Sequence, residues 1–174
     1  MPASKAMFSS ESNEHYTPTR ILDMAVSVMG AIDLDPASDP GRRVRAAQHF
    51  TMSDDGLNQP WHGRVFCNPP YGRSLSAWSA KVDQEFANGH TSACILLVPA
   101  RTDTKWFQPL HQVPVCYVKG RLKFIDQQGR EQGAAPFPSA VAYWGSDPEK
   151  FVEVFKHAGP VQVPIGSNNS DGKI

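Results

Sequence analysis

The chain has 174 residues and 19.1 kDa, which suits one domain with one core, and its 40% hydrophobic and 20% charged residues exclude wholesale disorder. Lys+Arg and Asp+Glu both number 17, so the formal charge is zero and binding of nucleic acid by bulk charge is excluded; phosphates would need a local patch. Fifteen prolines and thirteen glycines cut the chain into short elements, against a helical bundle or coiled coil.

Residues 1–15 are polar and Ser-rich, lack the apolar centre of a signal peptide, and are expected to fray. A single domain is expected over 16–165, followed by a flexible tail over 166–174. Ile21, Leu22, Ala25, Val26 and Met29 recur at helical spacing and predict a helix over Thr19–Met29, with Thr17 as its cap and Pro18 near its first turn. Gly30 ends it, and Ala31–Asp35 reads as a short buried strand that stops at Pro36. Residues 39–53 suggest one turn of helix and a weak strand. Arg64–Cys67 is an apolar strand running into Asn68-Pro69-Pro70-Tyr71, and Leu75–Phe86 is helical through Trp78, Val82 and Phe86.

Thr91–Val98 is the most apolar run and reads as a central strand. A loop follows, then a helix through Trp106, Phe107 and Leu110 that Asp103 can cap. Val115–Val118, Leu122–Asp126 and Ser139–Trp144 are further strand candidates, the first two separated by Lys119-Gly120-Arg121. Alternating strands and helices with a hairpin-rich end predict a three-layer α/β domain. No apolar run is long enough to span a bilayer, so a cytoplasmic location is expected. Cys67, Cys94 and Cys116 stand singly in apolar stretches and read as reduced core thiols; neither they nor the six histidines have metal-ligand spacing.

The tetrapeptide Asn68-Pro69-Pro70-Tyr71 at a strand end resembles the catalytic motif of S-adenosylmethionine-dependent methyltransferases that modify exocyclic amines. With HYTPTRIL from His15, DLDPAS from Asp33, DDGLNQPW from Asp54, LLVPARTDTKWF from Leu96 and GRLKF from Gly120, the chain is more narrowly similar to the phage-type DNA N-6-adenine methyltransferases, the Dam-like family, over about His15 to Trp144. The resemblance implies a compact Rossmann-like sheet, S-adenosylmethionine as cofactor and double-stranded DNA as partner. The same motif serves methyltransferases acting on cytosine amines, RNA adenine and protein glutamine. A DNA-binding relative without transfer activity is the alternative from another class.

The chemistry of the loop supports the resemblance. The adenine amine is a poor nucleophile because its lone pair is delocalised into the ring. The Asn68 side-chain oxygen and the Pro69 carbonyl can each accept one amine hydrogen, which draws the lone pair out and offsets the charge developing on nitrogen. Pro69 and Pro70 lack N–H groups and hold φ, so the acceptors stay aimed. Tyr71 offers a face to a base flipped out of its duplex.

For the donor, the resemblance implies contacts from Tyr16, Thr17 and Pro18 to the methionine part, and from Asp35, Pro36, Ala37 and Ser38 at the acidic strand end. Asp33 fits a donor contact or a strand-edge carboxylate equally well. The usual Gly-rich turn is absent and only roughly thirty residues separate this segment from Asn68, so it stands for either the first donor motif or the ribose-binding one, in a sheet with room for fewer strands. Asp55 and Leu57 would meet the donor adenine, or simply form an Asp-Gly turn. Arg42 and Arg43, Arg101 and Lys105, and Arg121 and Lys123 are the candidate phosphate contacts, the last pair sharing one face of the expected strand; a solvated strand face is the alternative. The pattern calls for no metal and marks no oligomer surface.

Overall fold

A computed structural model describes residues 15–166. The ends expected to fray therefore lie, apart from His15 and Gly166, outside the described residues.

The elements run α1 (Thr19–Met29), β1 (Ile32–Asp35), β2 (Ala46–His49), β3 (Gly63–Cys67), α2 (Leu75–Ala87), β4 (Thr91–Pro99), a 3-10 helix (Gln108–Gln112), β5 (Val115–Tyr117), β6 (Ser139–Trp144), α3 (Pro148–Phe155) and β7 (Val161–Gln162). They build one seven-stranded sheet in the order β2-β1-β3-β4-β6-β5-β7. β2, β1, β3 and β4 are parallel, and β6, β5 and β7 alternate beyond them.

Side chains alternate across the central strands, as the two-residue period of a strand requires. Phe66, Ile95, Leu97, Val141 and Tyr143 face one layer, which α1 and α3 cover with Ile21, Ala25, Phe151 and Phe155. Val65, Cys67, Leu96, Val98, Ala140 and Ala142 face the other, covered by Leu75, Trp78 and Val82 of α2 and by Phe107 and Leu110. This is the expected three-layer α/β domain, consistent with a Rossmann-like methyltransferase fold. The sheet keeps seven strands; what the short chain omits is helical cover, since the connections β1–β2 and β2–β3 carry no helix.

Three local expectations are corrected and two elements are added. Thr17 does not cap α1: Pro18 is the N-cap, its carbonyl accepting from Ile21 N at 3.0 Å, and no side chain caps the helix. The helix expected through Trp106 is a run of turns followed by a five-residue 3-10 helix containing Pro109, which has no N–H for an α-helical bond. Leu122–Asp126 is not a strand of the sheet. Its polar groups scatter among partners, leaving isolated bridges from Ile125 to Tyr16 and Glu131. α3 and β7, which periodicity did not reveal, close the far side.

The chain steps from β1 out to β2 and then crosses to β3 on the other side of β1. Connections leave β1 and β3 in opposite directions, and the crevice outside the carboxyl ends of two such strands is where open α/β sheets bind ligands.

Candidate active site

β1 and β3 lie side by side, with Leu34 opposite Val65, so Asp35 and the Asn68 loop emerge next to each other. Between them opens a cleft of ≈ 290 Å³.

On the β1 side, Asp35 is 2% exposed and its Oδ1 accepts from Ala37 N at 3.2 Å. Burial pushes its carboxyl up to about 7; the Ala37 N–H and the Ser38 side chain oppose this, while the neighbouring Asp39 adds to it. A buried carboxylate so short of donors suits a ligand that brings a cation or hydroxyls. Asp39 is itself enclosed, accepting from Gly41 N at 2.8 Å and Arg43 N at 3.0 Å and pairing with the Arg43 guanidinium. That guanidinium lies 4.4 Å from the centre of the Tyr16 ring and donates to the Gln127 carbonyl. Arg43, expected as a phosphate contact, thus forms part of the cleft wall beside Tyr16.

On the β3 side, Asn68 Nδ2 donates to the His15 carbonyl at 2.6 Å and to Thr17 Oγ1 at 3.0 Å. Two acceptors fix which end of the amide faces them, so Oδ1 is turned away; it is buried and has no partner. Tyr71 Oη and His15 Nδ1 share that condition, so three of the five such buried atoms found among the described residues gather here. Each unmade bond costs on the order of 1–3 kcal/mol, a penalty that ligand groups can relieve.

The His15 and Tyr71 rings stack with centroids 5.3 Å apart, and Phe124 and Phe137 meet Tyr71 edge-on at 6.1 and 5.5 Å. The Tyr71 ring is partly exposed but its hydroxyl is enclosed, which pushes that hydroxyl well above its ordinary range. Burial lowers His15, leaving a neutral imidazole near neutral pH.

The cleft wall therefore unites Tyr16, Thr17, Asp35, Ala37, Ser38, Asn68, Pro69, Pro70 and Tyr71. Other expected residues stand elsewhere. Pro18 caps α1. Asp33 takes Arg64 through its backbone N at 2.7 Å and its guanidinium at 2.8 and 2.9 Å, and these bonds hold its carboxyl down to about 2. Pro36 is pressed on Gly56, where an added Cβ would come within 1.9 Å of the Pro36 carbonyl oxygen. Asp55 is exposed at φ 54° and accepts from Asn58 Nδ2 at 2.6 Å, while Leu57 packs on the α2-side core. The DDGLNQPW segment is a turn anchored by Trp61, whose Nε1 donates to the Gly56 carbonyl at 2.8 Å.

Arg42, Arg101, Lys105, Arg121 and Lys123 are exposed, as is Arg73 just after the Asn68 loop. All but Arg42 sit on loops at the carboxyl edge of β3 and β4 or in the β5–β6 connection, which reaches the same edge because Ser139 pairs with Pro99. Arg73 and His15 were not anticipated. For Arg73 the signal was its position beside Asn68–Tyr71; for His15, which meets Asn68 through its backbone carbonyl, the residue type gave none.

No metal-binding group occurs among the described residues, and no helix there is long and apolar enough to cross a membrane. No curated protein matches the chain. The model of the family described as DNA N-6-adenine-methyltransferase (Dam) matches residues 5–149, most of the chain and every cleft residue named above. The chain belongs to the DNA N-6-adenine-methyltransferase (Dam) family.

Proposed function

We propose that the protein transfers a methyl group from S-adenosylmethionine to the exocyclic amine of adenine in double-stranded DNA, as a cytoplasmic enzyme of the phage-type branch. The observation that carries this reading is the buried, unpartnered Asn68 Oδ1 in the wall of a ligand-sized crevice that Pro69 also lines.

The cleft fits the donor's chemistry. Asp35, buried and met only by the Ala37 N–H and the Ser38 side chain, suits an ammonium or ribose hydroxyls, Arg43 offers a positive charge to a carboxylate, and Tyr16, Leu22 and Val44 supply apolar wall. When bound, the donor supplies a methyl group on a sulfonium. Asn68 Oδ1 accepts one amine hydrogen and the Pro69 carbonyl the other, drawing the nitrogen toward tetrahedral geometry. His15 and Thr17 act through Asn68 by occupying its donors, which keeps the acceptor end toward the amine. The adenine must leave the duplex to arrive there, and Tyr71 in the cleft wall offers it an aromatic surface.

The test is to incubate duplex DNA with tritiated donor and enzyme, digest to nucleosides and separate them. Label is expected in N6-methyldeoxyadenosine. Label in a methylcytosine, or none in DNA, would overturn the reading.

A further inference from the structure

The connection from β5 to β6, residues 118–138, contains no helix and no strand of the sheet, and connections of this length are usually functional. It folds into a hairpin packed on residues that line the cleft. Asp126 N donates to the Arg130 carbonyl at 2.9 Å, Gln132 N to the Phe124 carbonyl at 2.8 Å, and Ala135 N to the Leu122 carbonyl at 2.9 Å, with Gly129 at φ 78° completing the turn. The hairpin is tied to the site from both sides. Ile125 bridges Tyr16, Arg43 donates to the Gln127 carbonyl, and Phe124 and Phe137 border Tyr71.

At its tip Asp126 organises one side chain. Asp126 Oδ1 accepts from Gln128 N at 2.9 Å and Arg130 N at 2.8 Å, and Oδ2 accepts from Arg130 Nε at 2.9 Å. Arg130 Nη2 donates to Gln128 Oε1 at 3.2 Å, yet the Arg130 side chain is 73% exposed. An ion pair this exposed contributes about 0–1 kcal/mol to stability. What it does achieve is to hold the fork of the guanidinium in one orientation with donors left over, and a held fork is what bidentate recognition requires. Arginine pairs in this way with O6 and N7 of guanine, and a two-stranded ribbon fits the major groove.

We propose that the 124–132 hairpin enters the major groove beside the flipped adenine, and that Arg130, positioned by Asp126 and Gln128, reads a guanine there. The inference rests on the DNA-adenine reading above. The guanine must lie close to the target, because the turn is joined to cleft residues by the bridge at Tyr16 and the bond from Arg43. Lys123, paired with Glu131 at 3.2 Å on the flank, suits a phosphate and carries no sequence information.

The experiment is to express wild type, Arg130→Ala and Arg130→Lys in a bacterium without adenine methylation and map methylated adenines across its genome. The wild-type motif is expected to contain a fixed G·C pair near the adenine. Both variants should lose about tenfold to a hundredfold of the discrimination at that pair while keeping it elsewhere; purified variants should retain wild-type circular dichroism and donor affinity. An unchanged motif in Arg130→Ala, or an Arg130→Lys variant like wild type, would overturn the inference and reduce Arg130 to a charge on the rim. Absence of methyladenine from wild type would instead overturn the functional reading on which it rests.

Discussion

Asn68 is made useful by what its neighbours take from it. An amide offers two donors and an acceptor, and a loop asparagine ordinarily has all of them in play with solvent. Here the His15 carbonyl and the Thr17 hydroxyl occupy the nitrogen, so the oxygen alone is left for a ligand. Asp35 shows the complementary device, a carboxylate buried with fewer donors than its ionised form can use. Burial raises its folded value to about 7, well above the ordinary value of an aspartate, so the fold favours the protonated form. The stability Asp35 contributes is thus fully present below about pH 4 and is lost as pH rises through 7, at roughly 1.4 kcal/mol per unit. Asp35→Asn should therefore be stabilised relative to wild type at pH 8 and far less so at pH 4, as urea midpoints will report. Donor binding should show the opposite slope. A cationic donor selects the ionised form, so affinity should fall about tenfold per unit below pH 7. Titration calorimetry in buffers of different ionisation enthalpy should register proton release, and Asp35→Asn should bind weakly without that pH dependence.

Among the elements, those carried by dense apolar periodicity were legible in the sequence. α1 and β6 have the expected bounds, and β1, β3, α2 and β4 differ by a residue or so. What failed were segments whose shape depends on partners elsewhere. Leu122–Asp126 has strand-like composition, but the nearby sheet positions are filled by β6 and β7 on either side of β5, and its bonds go to Tyr16 and back to its own hairpin. α3 was missed although its start is written locally: Asp147 Oδ1 accepts from Lys150 N at 2.9 Å and Pro148 follows the cap. Its Phe151 is fully buried, stacked on Tyr143 at 5.1 Å and Phe155 at 4.6 Å. Phe151→Ala should lower stability by about 3–5 kcal/mol in denaturant titrations. The turn at Gly56 matters through backbone contact. Gly56→Ala places a methyl against the Pro36 carbonyl and should cost about 1–3 kcal/mol by overpacking, with weaker donor binding because Pro36 leads into the Asp35–Ser38 turn.

For the whole molecule, charge neutrality becomes informative once the cations are located. Arg73, Arg101, Lys105, Arg121 and Lys123 stand on loops at the edge where the cleft opens, so DNA contact needs only a handful of phosphates. Binding should weaken with salt at a log–log slope of roughly −3 to −4; a slope steeper than about −8 would require cations away from this rim. The site was legible in the sequence where its chemistry sits in contiguous residue types, as at Asn68–Tyr71 and Asp35–Ser38. It was illegible where a residue acts across the fold, as Arg43 does in reaching Tyr16 and Gln127, or His15 in orienting Asn68 through its backbone. The most direct measurement compares methyl transfer from tritiated donor to duplex DNA by wild type and Asn68→Ala, with donor affinity measured on the same samples. Asn68→Ala should bind donor as wild type does and transfer at least about a hundredfold more slowly. Equal transfer by the two proteins would contradict the assignment of Asn68 to the reacting amine.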